Sequence, residues 1–497
     1  MSFKICFIGA GSVGFTRKLL ADLLAVPEFS GTEVAFMDIN RDNLDMVYQL
    51  CQRDIEHNGL DIRIKCHMDR REALSGARYV FNVARIGGLE AFAHDVNIPL
   101  KYGVDQCVGD TLCAGGIFYA QRVVPFMLDL CRDIREVAEP GCMLLNYSNP
   151  NAMATWAAIK YGGVPTIGLC HGVQGGHALM ARALGVPYED LDIVCAGINH
   201  QTWYIKADYK GQDMLPRLKQ AMLADEEIAR QEKVRIDMID RFGYFSTESN
   251  GHLSEYLPWY RKCIEDIPKW ISLDEWIHGE TGGYLRECTE RRNWFEEDFP
   301  RWLAEPPYEY KPENRSLEHG SRIIESLETG CIYRGHFNVM NNGCIKNLPE
   351  ECVVEVPGYV DATGVNIPVI GDLPLGCAAV ISQSIWVQRL GMEAAAAGDI
   401  ALLRQAMMLD PLVGAVCDPN EIWQMTDEML VALAEWMPQY ADEVGRAKQR
   451  LKDHYVKPRY EGFEGAARLK VKSVDELKSA KGATIHVEDK ALGVKKE

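Results

Sequence analysis

Three glycines near the start of the chain constrain its fold more than any other feature. Residues 3–8 form a short apolar run, and Gly9-Ala10-Gly11-Ser12-Val13-Gly14 follows it directly. Leu19, Leu20, Leu23 and Leu24 then recur at helical spacing across about 16–26. Strand, glycine turn and helix in that order predict a βα unit that binds a dinucleotide. Gly9 permits the tight turn, Gly11 lets backbone approach a pyrophosphate, and Gly14 lets helix and strand pack closely. Ser12 and Val13 open the helix, whose N-terminus faces the phosphates. A second strand, 33–37, ends at Asp38, where a carboxylate accepts hydrogen bonds from the adenine ribose. That charge repels a 2′-phosphate and so favours NAD over NADP, although Arg41 nearby works against the preference. With no ligand, the same residues would make only a tight βα turn.

The pattern continues in kind. A polar helix spans about 41–57, and apolar runs at 62–66, 79–84, 142–146 and 165–169 are expected as strands. Such βαβ alternation implies a parallel sheet. After about residue 185 the rhythm changes. Strands at 192–196 and 202–207 precede long amphipathic helices, then strands at 331–339 and 352–360 and an Ala-rich helix over 376–407. The expected fold is α/β: a Rossmann-type doubly wound parallel sheet in 1–190 and a second α+β lobe in 191–455. The Lys-rich tail, 456–497, is poor in large apolar residues and is expected as a weakly ordered extension.

Composition excludes several classes. Hydrophobic residues make up 47% of the 497 and charged residues 25%, enough for a core without metal or disulfide staples. A net charge of −18 argues against nucleic acid as a partner. The 16 cysteines are scattered, often in apolar runs and never as CxxC, which predicts reduced thiols. The first apolar run enters the glycine loop at once, so no signal peptide is expected. No apolar run reaches the roughly 18 residues a membrane helix needs. The expected location is the cytoplasm, away from membranes.

Further candidates lie at the ends of later strands, where α/β sheets gather ligands. They are Gly109-Asp110-Thr111, Asn149-Pro150 and Cys170-His171, with Asn199-His200 after another apolar run. Cys170 and His200 are metal-ligand types. A closed structural zinc site needs four ligands; an open metal site needs fewer. On residue types alone, a buried thiol and a hydrogen-bonded imidazole are the more economical reading. Residues 243–249, followed by His252, Glu255 and Tyr256, gather acids, a histidine and tyrosines. A solvated face or helix cap is the simpler reading of that cluster. Trp259, Trp270, Trp276, Trp294 and Trp302 can stack on sugars, but tryptophans more often pack cores.

Taken together these segments resemble the NAD- and metal-dependent family 4 glycoside hydrolases. The resemblance rests on Gly9-Ala10-Gly11-Ser12, Gly109-Asp110-Thr111, Gly115-Gly116-Ile117 and Asn146-Tyr147-Ser148-Asn149-Pro150. It extends through Cys170-His171-Gly172-Val173-Gln174-Gly175, Ala196-Gly197-Ile198-Asn199-His200, 243–249 and Asn347-Leu348-Pro349. They occur in the family's order from about residue 3 to 455. The resemblance implies that Cys170 and His200 hold a divalent ion, usually Mn2+, beside NAD. The likeness is greatest to the α-galactosidase branch, through Ala196 to His200 and Tyr244 to Ser249. His171, where phospho-glycosidases carry Asp or Asn, implies a non-phosphorylated sugar. Gly172 departs from the Ser usual in α-galactosidases and matches α-glucosidase and α-glucuronidase relatives.

The implied reaction is redox-assisted elimination, an exception to the two-carboxylate route of most glycosidases. NAD takes a hydride from sugar C3, a base removes the C2 proton, the C1 leaving group departs, water adds, and the hydride returns. Within this scheme Glu248 is the C2 base, with Tyr256 a second candidate. Asp110 or His171 assists the leaving group. Asn149 and His171 bind the sugar, and Asn82 touches the cofactor. The substrate is a small oligosaccharide or glycoside, and relatives of this type form homodimers or homotetramers. Two rivals remain: a plain NAD-dependent dehydrogenase with lactate/malate dehydrogenase-like architecture, and a non-catalytic NAD- or sugar-binding regulator.

Overall fold

Short apolar strands, covered on both faces, form the centre of one large mixed sheet. The computed structural model describes residues 2–291, 295–460 and 465–467. The strands are β1 (Lys4–Ile8), β2 (Glu33–Met37), β3 (Lys65–His67), β4 (Tyr79–Asn82), β5 (Met143–Asn146), β6 (Thr166–Gly168) and β7 (Leu191–Ile198). They continue as β8 (Gln201–Tyr209), β9 (Gln212–Asp213), β10 (Phe245–Ser246), β11 (Tyr333–Met340), β12 (Val353–Asp361) and β13 (Gly364–Asn366). The order β3-β2-β1-β4-β5-β6 is wholly parallel. It is the doubly wound order, reversing between β1 and β4.

The later strands extend this same sheet. β11 adds antiparallel to β6 through Asn338 opposite Gly168, and β12, β7, β8 and β10 follow, each antiparallel to its neighbour. Ile8, Asn82, Asn146 and Gly168, the last residues of four parallel strands, stand in one transverse row with Asn338, Glu355 and Gly197. Loops leaving this row carry the site.

The dinucleotide half is held by packing on both faces. Phe7 stacks on Phe81 with centroids 4.9 Å apart and meets Phe36 edge-on at 5.4 Å. Each such pair contributes about 0.5–1.5 kcal/mol beyond burial. Leu19, Leu20 and Leu23 of α1 (Val13–Leu24) and Leu44, Val47 and Leu50 of α2 (Arg41–His57) share that core. On the opposite face Cys6, Ile8 and Val80 meet Tyr119, Val123 and Met127 of the helix Cys113–Val137.

Two elements differ from the sequence expectation. The third strand begins at Lys65, because Gln52 of α2 takes the Ile62 carbonyl and the Ile64 N–H and so keeps them from the ladder. The Ala-rich helix is two helices, Leu375–Ala397 and Ile400–Leu409. Gly398 ends the first in left-handed backbone, and Asp399 caps the second by accepting from the Ala401 and Leu402 N–H groups.

All 16 cysteines are free thiols. Among the described residues no helix is long and apolar enough to cross a membrane. Of the tail, residues 456–460 and 465–467 are described, and Ala466 N–H reaches Asp105 at 3.0 Å. Most of the tail lies outside the described residues.

Candidate active site

The cofactor end is built by close approach at the strand-order reversal. Gly9 has φ +85°, and a Cβ there would stand 2.6 Å from the Ala84 backbone after β4. Gly11 N–H donates to Asp38 Oδ2 at 2.8 Å, and Asn40 N–H donates to Oδ1 at 2.8 Å. A Cβ on Gly11 would press on the same carboxylate at 2.8 Å. Burial raises the Asp38 pKa, against those hydrogen bonds. Ser12 caps α1 without a side-chain hydrogen bond and lines the cleft, with Val13 and Gly14 in the first turn. Asn82 sits lower. Its side chain is fully buried and donates to Asn146 Oδ1 at 2.9 Å, tying β4 to β5. Val83 and Ala84, rather than Asn82, line the cleft.

Three donors from separate parts of the chain meet at the other end. Cys170 follows β6, His200 lies in the β7–β8 turn, and Glu248 follows β10. Their ligand atoms all lie within 4.8 Å of one another. His200 Nε2 is 3.2 Å from Cys170 Sγ, and that sulfur is 3.8 Å from Glu248 Oε1. Gly172 N–H donates to the same sulfur at 3.3 Å. Any side chain at Gly172 would run into the Glu248 carboxylate, which gives the Cys-His-Gly sequence a packing reason.

The electrostatics suit a cation. Burial lowers the His200 imidazole to about 4, leaving it neutral and able to ligate. Burial pushes the Glu248 carboxyl up, but the imidazoles of His200, His252 and His171 outweigh it and hold it at about 2. Burial pushes the Cys170 thiol up, an effect that a coordinated divalent ion reverses. One thiol and one neutral imidazole make a donor pair for a borderline transition ion, with the Glu248 carboxylate beside them.

Asp110 borders this centre. It accepts from Asn149 Nδ2 at 3.1 Å and from Thr111 Oγ1 at 2.8 Å, and Arg85 Nη2 lies 3.5 Å away. Its loop is fixed from behind by Glu255, which accepts from the backbone N–H groups of Cys107, Val108 and Gly109 at 2.6, 2.9 and 3.1 Å. His171 faces the cleft while its Nδ1 lies 3.3 Å from Glu318 Oε1. Burial pulls that imidazole down, but Glu318 and Glu248 raise it overall.

The cluster at 243–256 divides its labour. Ser249 caps the helix Asn250–Tyr256 through the His252 N–H, so the cap reading holds there. Glu248 and His252 line the cleft, with His252 Nδ1 3.4 Å from Glu248 Oε2. Tyr256 is fully buried, its ring 6.0 Å from that of His252, and does not line the cleft. Trp276 lines the cleft, Trp302 is buried, and Trp294 lies outside the described residues.

Sequence reasoning missed Arg85, Glu318 and Glu355. Arg85 follows β4 and was open to the carboxyl-end rule. Glu318 and Glu355 carry no local signal.

Comparison with known proteins identifies a family. The family model described as family 4 glycosyl hydrolase matches residues 4–186, and that of the family 4 glycosyl hydrolase C-terminal domain matches 195–413. An α-galactosidase of Rhizobium meliloti (strain 1021) is 54% identical over 97% of this chain and 98% of its own. An α-galactosidase of Bacillus subtilis (strain 168) is 34% identical over 88% of this chain and 99% of its own. The 6-phospho-β-glucosidase of Thermotoga maritima, solved with manganese, NAD+ and glucose 6-phosphate, shares the fold. It superposes with a TM-score of 0.72 at 23% identity, covering 87% of this chain and 99% of its own.

Proposed function

This chain belongs to the family 4 glycosyl hydrolases, and we propose that it hydrolyses terminal, non-phosphorylated α-galactosides with NAD and a divalent ion, Mn2+ above others. One observation carries the reading. A single cleft joins Ser12 and Ala84 at a dinucleotide cradle to Cys170, His200 and Glu248 at a metal-ligand cluster. The α-galactosidase of Rhizobium meliloti supports the sugar identity. So does His171, in the place where an acidic or amide residue marks phospho-sugar enzymes.

Both groups fit the residues present. Ala84 and the Asp38 carboxylate crowd the Gly9 and Gly11 positions, so only glycines allow the tight turn that opens α1 toward a dinucleotide. NAD, when bound, would supply hydride-transfer chemistry at sugar C3. Cys170 and His200 would hold the divalent ion, which would supply Lewis-acid polarisation.

The chain's own residues do the rest. Asn149, fixed on Asp110, binds sugar hydroxyls. Glu248, ionised and backed by His252, accepts the C2 proton. Asp110 or His171, both on the cleft wall, assists the leaving group. The enzyme works in the cytoplasm, as its free thiols support. It acts on small glycosides as a homodimer or homotetramer, which light scattering on the purified protein measures.

The test is a panel of nitrophenyl α-galactoside, α-glucoside and α-uronides with NAD+, Mn2+ and reductant. The α-galactoside should be cleaved fastest with no net NADH. Stoichiometric NADH without sugar release would mean a dehydrogenase instead.

A further inference from the structure

We infer that Glu355 is a positioning residue: it holds the Asn199-His200 turn so that His200 points at Cys170, and thereby sets the affinity of the site for a divalent ion. The inference rests on the metal reading above.

His200 stands in an unfavourable backbone. Ile198 pairs with Gln201, so Asn199 and His200 alone make the β7–β8 turn. His200 has φ +64°, the left-handed region that side-chain-bearing residues avoid and that glycine usually fills in such turns. A ligand cannot be glycine, so the conformation must be held from outside.

Glu355 is placed to hold it. It lies on β12 opposite Gly197, two residues before the turn, and is 1% exposed. It accepts from Asn199 Nδ2 at 3.3 Å, and the His200 backbone N–H faces the same carboxyl. The imidazole itself is fixed from the other side, with Nδ1 3.0 Å from Thr111 Oγ1. Backbone and ring are thus pinned separately, and Nε2 is left facing the thiol.

Topology gives the carboxyl a second connection. β11 and β12 are the strands that separate β6, which leads to Cys170, from β7, which leads to His200. Glu355 stands opposite Asn338, and Asn338 stands opposite Gly168, two residues before Cys170. The row therefore fixes the spacing of the two ligand-bearing strands. Stability is a poor alternative explanation. A buried carboxyl whose Oε1 has no hydrogen-bond partner among the described residues costs more than an apolar side chain of the same size.

The experiment uses the full chain stripped of metal with a chelator. Mn2+ is titrated in, and free Mn2+ is read by electron paramagnetic resonance. Glu355→Gln keeps an acceptor for the Asn199 amide and should bind within about threefold of the wild type. Glu355→Leu should bind about 10–100-fold more weakly, the usual effect of losing a partner behind a metal ligand. NAD affinity, read by fluorescence, should not move. With Co2+ in place of Mn2+, the thiolate charge-transfer band should survive in the Gln variant and weaken in the Leu variant. Asn199→Ala removes the same hydrogen bond from the other side and should weaken binding too, which keeps the test open if the Leu variant does not fold. Wild-type affinity in Glu355→Leu or Asn199→Ala overturns the inference while leaving the metal reading intact. So does a tenfold loss in a folded Glu355→Gln. If the wild type takes up no Mn2+, or Cys170→Ala takes it up equally well, the metal reading fails and the inference fails with it.

Discussion

Thr111 Oγ1 stands 3.0 Å from His200 Nδ1 while donating to Asp110 Oδ1 at 2.8 Å. With its proton committed to Asp110, the hydroxyl accepts from Nδ1–H. The Nε2 lone pair is left toward Cys170. One hydroxyl thereby sets both the cleft's acidic group and the tautomer of a ligand.

Thr111→Val keeps the shape and removes this link. Mn2+ affinity should fall about 10-fold or more, and excess Mn2+ should restore part of the lost turnover. Unchanged Mn2+ dependence in a titration of activity would sink the assignment.

Asp110→Asn should slow unactivated α-galactosides by about 10²–10⁴-fold, the usual worth of a placed acid or base. Nitrophenyl glycosides, with better leaving groups, should lose much less. Full turnover of the variant on an unactivated disaccharide would exclude Asp110 from leaving-group assistance.

Glu248→Gln tests the C2 base. In heavy water the wild type should place deuterium at C2 of the released sugar, detectable by mass spectrometry. The variant should lose turnover by about 10²–10⁴-fold and lose the exchange with it. Persistent exchange at the wild-type rate would move the base to another residue. Loss of Mn2+ uptake in the same variant would instead make Glu248 a third ligand.

Asp38→Ala should weaken NAD by about 10–100-fold, the cost of losing hydrogen bonds to a charged group at roughly 1.5–3 kcal/mol. Discrimination against NADP should narrow, because the repelling charge is gone. Isothermal titration with both nucleotides reads the two effects together.

His177 gives a pH dependence away from the site. It stacks on Tyr188 at 4.0 Å, and burial pulls its imidazole from 6.5 to about 4. The unfolded chain therefore binds the proton that the folded chain refuses. Its stabilising effect is complete above pH 6.5 and is lost as pH falls toward 4. The cost is of order 1–3 kcal/mol at the acid end. His177→Gln should show a smaller fall in melting temperature between about pH 7 and pH 5; an identical fall would place the acid sensitivity elsewhere.

The amino-acid sequence by itself determined what acts over a few residues. Gly9, Gly11 and Asp38 were legible because a turn, a close approach and a strand end each leave a local mark. The parallel pairing of β1, β2 and β4 was legible because strands alternate with helices in steps the chain cannot disguise. Cys170 and His200 were visible as ligand types, and the family resemblance paired them. Only the tertiary structure brought Glu248, 78 residues from Cys170, beside the thiol. It also brought Glu318 behind His171 and Glu355 behind the Asn199-His200 turn. It placed Asn82 beneath the cleft and Tyr256 behind its wall. These outcomes depend on which strands add to the edge of β6 and on what their side chains meet there. Long-range packing settles both, and no short stretch of sequence encodes a contact between residues so far apart.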